Sequence, residues 1–132
     1  MRHIANLPKK SRDQRGAAAV EFALIAGLLL TILFGVIEFG RIYSELEVLT
    51  SAAREGARAA AVRGTADEVS DAVEQAADPY TLDESPAANK VCDDTTSGEP
   101  VTVSWTQNFT ISIGLLPALN KDLEVKGVFR CE

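Results

Sequence analysis

The feature that most constrains the fold is an apolar run of 21 residues, 17–37, which contains a single charged residue, Glu21. At about 1.5 Å per residue, a helix of this length spans roughly 30 Å, the thickness of a bilayer core. The preceding segment, residues 1–16, is basic, and positively charged flanks stay on the cytoplasmic side of a membrane. The sequence therefore predicts a cytoplasmic leader over 1–16, a transmembrane helix over 17–37 and an extracytoplasmic remainder.

The charge distribution limits the partners that the chain can bind. Five basic residues and one acidic residue give the leader a charge of +4, whereas the whole chain carries −6, so residues 17–132 carry −10. An acidic body repels nucleic-acid phosphates, so we expect no nucleic-acid partner.

Catalytic residue types are also scarce. The one histidine is His3, inside the leader, so no histidine-based triad or metal site is available beyond it. The acidic residues at 83–84 and 93–94 lie in polar loop sequence, without an apolar pocket that would shift their pKa values. We expect no enzymatic activity, no cofactor, no bound metal and no small-molecule substrate.

Helical patterning continues beyond the apolar run, from residue 38 to residue 64. This stretch lacks proline, and its apolar residues recur at helical spacing, at Ile42, Leu46, Leu49 and Ala53. Gly64 is the predicted C′ residue that stops the helix after Arg63, and Gly40 and Gly56 are predicted weak points or bends. The sequence thus predicts one helix over 17–63 that continues well outside the membrane.

Residues 65–132 are predicted to form a small α+β module on the outer part of this helix. Thr65 and Glu68 have capping-box spacing and open a second helix, which Asp78-Pro79 ends. A short strand is predicted around residues 90–92. Alternating apolar residues predict strands over 100–113, with a bend near residues 107–108, and over 122–131. The predicted fold class is α+β: a long N-terminal helix, a short second helix and a small antiparallel sheet.

Two cysteines, Cys92 and Cys131, lie in the C-terminal third. On the oxidising side of a membrane they could form a disulfide closing a loop of about 39 residues, worth roughly 3–4 kcal/mol by the chain-entropy estimate. Buried free thiols are the alternative, and the sequence leaves both open. The CxxC spacing and histidine partners of a zinc site are absent.

The sharpest motif joins the leader to the apolar run: a glycine at 16, an apolar helix from Ala17, and Glu21 at the fifth position after the glycine. Glycine leaves the backbone unobstructed for a protease at the membrane face. Cleavage there would create an α-amine on Ala17, and that amine in a neighbouring subunit could pair with Glu21, a carboxylate that is costly in lipid when unpaired. The alternative is a Glu21 side chain that reaches the lipid headgroups.

The segments VEFAL, FGVIEFGR and AAREGARAA, within residues 15–64, make this chain resemble a TadE-family pseudopilin of the Tad (Flp) pilus system. The resemblance implies cleavage between Gly16 and Ala17 by a prepilin peptidase. It also implies an assembly role for Glu21 and Phe22, with other pilins and the Tad inner-membrane machinery as partners. Glu-Phe in place of the Glu-Tyr of major Flp pilins, together with the long C-terminal part, favours the minor-pilin class. The competing interpretation is an uncleaved signal anchor that displays a small binding domain.

Overall fold

The computed structural model describes residues 12–112 and 117–132. It contains two helices, α1 (Arg12–Ala61) and α2 (Ala66–Ala77), and three strands, β1 (Ala87–Ala88), β2 (Pro100–Ile111) and β3 (Leu119–Arg130). The predicted α+β class is confirmed. Residues 1–11 of the predicted leader and residue 113 at the predicted end of the first long strand lie outside the described residues.

Helix α1 contains 50 residues and is about 75 Å long at the standard rise. It begins at Arg12, five residues before the predicted start, because nothing in the sequence up to Ala17 interrupts the helix except Gly16, which a helix tolerates at a modest cost. It is also unbroken at Gly56, where a bend was predicted. A Cβ on Gly56 would lie 2.3 Å from Val73 Cγ2, so this glycine permits close packing of α2.

Helix α1 ends two residues before the predicted Arg63, and its C′ residue lies one position before the predicted Gly64. The residue with a left-handed backbone is Arg63, at φ 69°, and Gly64 follows it. The Arg63 N–H donates to Ala60 O at 3.3 Å and the Gly64 N–H to Ala59 O at 3.0 Å, which is the Schellman pattern. Gly64 is required there because a Cβ would lie 2.6 Å from Ala59 O.

Helix α2 begins as predicted with a complete capping box. The Thr65 hydroxyl accepts from the Glu68 N–H at 3.3 Å, and the Glu68 carboxylate accepts from the Thr65 N–H at 2.7 Å. Its buried residues are Val69, Val73 and Ala77.

The sheet has the order β1-β2-β3 and is antiparallel throughout. The β2–β3 register runs without interruption from Pro100↔Arg130 to Ile111↔Leu119, so the predicted bend near 107–108 does not break the ladder. The short strand predicted at 90–92 is wrong, because the pairing with β2 occurs at Ala87–Ala88. Asn89 then closes this pairing through its side chain, which accepts from the Thr102 N–H at 2.9 Å.

One core joins the outer part of α1, α2 and the inner face of the sheet. We call this packed unit, residues 38–112 with 117–132, the head. The predicted α1 stripe is confirmed: Leu49 and Ala53 are fully buried, and Ile42 and Leu46 pack against the core. Trp105 and Phe109 are buried in it. Alternate residues of β2 face inward, which confirms the alternation.

Candidate functional site

The first half of α1 contrasts with the second. We call residues 16–37 the apolar stem. The most apolar window of this helix has a mean hydropathy of 2.5, and none of it is buried by the rest of the described chain. Large side chains such as Phe22 and Leu24 are more than 70% exposed. Because water disfavours such a contiguous apolar surface, the stem needs lipid or protein around it. By length and composition, this one helix could span a membrane.

The predicted site residues Gly16, Ala17, Glu21 and Phe22 lie together at the start of this stem, and all four are exposed. Glu21 follows Ala17 by four residues, so the two lie on one side of the helix about 6 Å apart along its axis. Among the described residues, Glu21 has no hydrogen-bond or ion-pair partner. The structure therefore places on an apolar helix, near the predicted cleavage site, a carboxylate that has no partner within the described part of the chain.

The glycines of the stem differ from several glycines of the head in the space around them. A Cβ on Gly16, Gly27 or Gly35 would meet nothing within 4 Å. On Gly56 and Gly127, by contrast, it would collide with side-chain or backbone atoms. Packing within the described chain therefore explains Gly56 and Gly127 and gives no reason for a glycine at position 16.

A polar cluster joins the end of β2 to α1, in the first turn of the helix beyond the stem. Arg41 Nη2 donates to Glu38 Oε1 at 2.9 Å and to the carbonyl oxygen of Thr110 at 3.1 Å, while the Ser112 N–H donates to Glu38 Oε1 at 3.2 Å. Arg41 also pairs with Glu45 at 3.5 Å, as i,i+4 spacing allows. This cluster fixes the end of β2 to the first turn of α1 beyond the stem. Sequence reasoning missed the role of Glu38, since no local pattern connects it with residues more than 70 positions away.

The cluster predicts a pH dependence of head stability. The hydrogen bonds from Arg41 and from the Ser112 N–H hold the pKa of Glu38 below its ordinary value of 4.5. A carboxylate with a depressed pKa stabilises the fold above the ordinary value, and this contribution is lost as the pH falls through the folded-state pKa. Thermal unfolding of wild type and Glu38→Gln should therefore differ most at neutral pH and converge as the pH falls below 4.5. A constant difference from pH 7 to pH 3 would contradict this role.

At the opposite end of the head, a disulfide joins Cys92 to Cys131, with their Cα atoms 5.5 Å apart. Backbone hydrogen bonds surround it: Gly98 N–H to Cys131 O and Cys131 N–H to Glu99 O, both at 2.8 Å. The Glu132 N–H donates to Ala61 O at 3.2 Å, so the C-terminus is tied to the end of α1. In the part of the chain that the structure describes, no group of three or more His, Cys, Asp or Glu side chains is placed to hold a metal ion.

An exposed apolar stem continuous with a packed α+β head is consistent with a membrane-anchored, pilin-like protein. Residues 16–58 match the family model described as TadE-like protein, which confirms the resemblance to the TadE family over this segment. The match covers the whole stem and most of the α1 residues that belong to the head, about a third of the chain. No curated protein and no solved structure matches the chain.

Proposed function

We propose that this chain is a minor pilin or pseudopilin that assists assembly of a Tad (Flp) adhesive pilus. The observation that carries the proposal is the stem: an exposed apolar helix with Glu21 as its one charge, starting at Gly16 and continuing into a covered head. Such a helix can reside in lipid and then pack against the helices of other subunits. The TadE-like match over residues 16–58 supports this function.

In this proposal a prepilin peptidase cuts between Gly16 and Ala17. Helix α1 runs continuously through these two residues, so the peptidase has to unwind its first turns to reach the peptide bond. Glycine has the lowest helix propensity after proline, about 1 kcal/mol below alanine, and therefore eases local unwinding. Its lack of a side chain also leaves both faces of the bond open.

Cleavage would leave a charged amine on Ala17, and this amine supplies the partner that Glu21 lacks. Within one mature chain the two groups are on the same side of the helix, but the amine of a neighbouring subunit can approach Glu21 more directly. An ion pair in lipid is far less costly than an isolated carboxylate. Pairing would then set the axial register of adjacent subunits, with Phe22 packing beside it.

The proposed location is the inner membrane, with the leader in the cytoplasm and the head outside, as the charge distribution favours. The proposed partners are the prepilin peptidase, other pilins or pseudopilins, the Tad inner-membrane machinery and the bilayer, without nucleic acid.

We propose no enzymatic activity. A shallow groove of about 290 Å³ beside α2 is lined mainly by Ala, Val and Pro, and its Lys90 is paired with Glu99 at 2.6 Å.

The processing step is tested by Gly16→Leu in cells that contain an active prepilin peptidase. This variant should accumulate as a form longer by the 16 leader residues, because the side chain obstructs the cut. Gly27→Leu is the matched control: it is equally free of contacts in the described chain and should be processed normally. Normal shortening of Gly16→Leu would contradict the proposal.

The assembly step is tested by Glu21→Ala, which leaves the cleavage site intact. We expect normal processing and insertion, with at least a tenfold loss of pili on the cell surface, counted by electron microscopy. Glu55→Ala, which removes an exposed carboxylate of the head, is the control. If cells with Glu21→Ala have as many surface pili as wild type, Glu21 does not set the register of the subunits.

One observation favours a second candidate, the uncleaved anchor that displays a binding domain: α1 is helical across Gly16 and Ala17 without a break. This candidate predicts that Gly16→Leu and Glu21→Ala both function like wild type. The two experiments above therefore separate the candidates.

A further inference from the structure

The two outer edges of the three-stranded sheet differ in how their backbone groups are satisfied. One edge is formed by the two-residue strand β1 and, on either side of it, by β2. Along it, loop side chains accept hydrogen bonds from N–H groups of β2: Asn89 from Thr102 (2.9 Å), Glu84 from Thr106 (3.1 Å) and Asp83 from Asn108 (2.7 Å). Strand β1 pairs between these points, at Ser104 and Val103. This edge is therefore closed to another strand.

The outer edge of β3 has no such protection within the described chain. The backbone N–H and C=O groups of even-numbered β2 residues point away from β3. In the register these residues lie opposite even-numbered β3 residues, which form the pairs without mutual hydrogen bonds. The backbone groups of even-numbered β3 residues therefore point out from the free edge. No strand or side chain of residues 12–112 or 117–132 hydrogen-bonds to those outward groups. β3 is 12 residues long and lacks proline and bulges, which are common devices that block edge strands. It therefore offers a continuous template for one more strand.

The charged side chains of the even-numbered β3 residues, on the exposed face of the sheet, are sorted by sign along the strand. Asp122 and Glu124 lie in its first half and Lys126 and Arg130 in its second half, and all four are exposed. Opposite charges in directly opposed positions stabilise a strand pair, and like charges destabilise it. An antiparallel strand would match this pattern if its first half were acidic and its second half basic.

A second copy of this chain does not fit the edge. β3 runs in the same direction as α1, since Gly127 contacts the backbone of Ala53 and the Glu132 N–H reaches Ala61 O, further along the helix. Two copies anchored by their stems in one membrane in the same orientation would therefore present parallel β3 strands. Pairing them edge to edge by a twofold axis along the strands would put the charged face of one β3 on the opposite side of the joined sheet from that of the other, so the charges of the two copies could not pair.

We propose that the free edge of β3 binds an extended segment of a different protein, added as an antiparallel fourth strand. The segment runs toward the membrane, and it has acidic residues in its first half and basic residues in its second half. The backbone hydrogen bonds give affinity, and the order of charges gives direction and register. This inference depends on membrane anchoring of the stem and not on cleavage at Gly16, so the processing experiment can fail without affecting it.

The test uses the full chain in detergent micelles and two labelled peptides of about twelve residues, both alternating valine and threonine at the uncharged positions. One peptide has two glutamates in its first half and two lysines in its second, and the other has the reverse order with the same composition. The acid-first peptide should bind at least about tenfold more tightly, measured by fluorescence anisotropy. It should also slow hydrogen exchange at the N–H groups of Glu124, Lys126 and Val128.

A charge-reversed variant, Asp122→Lys with Glu124→Lys, Lys126→Glu and Arg130→Glu, keeps the net charge and should prefer the base-first peptide. The proposal is overturned if wild type binds neither peptide, binds both equally, or binds without protection of these N–H groups. Protection that rises with protein concentration in the absence of peptide would identify a second copy as the occupant and would also overturn it.

Discussion

Replacing Gly127 by alanine is expected to destabilise the head by about 3 kcal/mol or more, among the largest effects of any single substitution in this chain. A Cβ at this position would lie 2.2 Å from the carbonyl carbon of Ala53 and 2.4 Å from the nitrogen of Arg54. Both are backbone atoms in the middle of α1, so no side-chain rotation can relieve the collision. Strand β3 would have to move away from the helix and open the core around Val125.

The free energy of unfolding can be measured by denaturant titration of the full chain in micelles. Trp105 is the one tryptophan and is buried, so its fluorescence reports directly on the core. Gly40→Ala is the matched control, because a Cβ there meets nothing within 4 Å and alanine favours a helix by up to about 1 kcal/mol. Wild-type stability in Gly127→Ala would show that β3 does not approach α1 this closely.

Loss of the Cys92–Cys131 disulfide is expected to cost about 4 kcal/mol. The bond closes a loop of 39 residues that includes β2 and β3, and the chain-entropy model assigns this value to a loop of that size. It also secures the C-terminal end of β3, where the backbone bonds of Cys131 and Glu132 close the head against the end of α1. The double variant Cys92→Ser with Cys131→Ser should therefore unfold at a much lower denaturant concentration than wild type.

A reducing agent provides the internal control for this prediction. Wild type under reducing conditions should approach the stability of the double variant, and the variant itself should not respond. If wild type has two titratable thiols after purification from its oxidising compartment, or if its stability is unchanged by reduction, the disulfide makes no contribution.

Local patterns predicted the elements of the fold well, and long-range contacts explain what they missed. The capping box at Thr65, the apolar stripe through Leu49 and the alternation of β2 are short-range signals, and each was confirmed. The start of α1 was placed too late because a change in hydropathy at Gly16 was taken as a change in structure. Helix formation does not require apolar residues, so the helix continues into the polar leader.

Contacts between distant residues left no comparable signal. The need for glycine at 127 arises from the helix that lies against it, and that helix is more than 70 residues away in sequence. Gln107 is a further example: it is polar and yet buried, because its amide accepts from the Asp83 N–H and donates to Thr81 O, both at 3.2 Å. Gln107 is one of the alternate β2 residues that face inward, so its burial follows from the alternation. Its hydrogen-bond partners are known only from the fold.

For the candidate site the sequence was informative in a different way. Gly16, Ala17 and Glu21 were selected by their spacing, and the structure adds that they are exposed and that packing does not require a glycine at 16. The function of these residues depends on a peptidase and on neighbouring subunits, neither of which is encoded in the contacts of one chain.

The most direct test of the central claim is mass spectrometry of the N-terminus of the protein purified from its native membrane. The account predicts that the mature chain begins at Ala17 and that peptides spanning Gly16 and Ala17 are absent. Intact peptides that contain Met1, or that continue across Gly16, in cells with an active prepilin peptidase would contradict it.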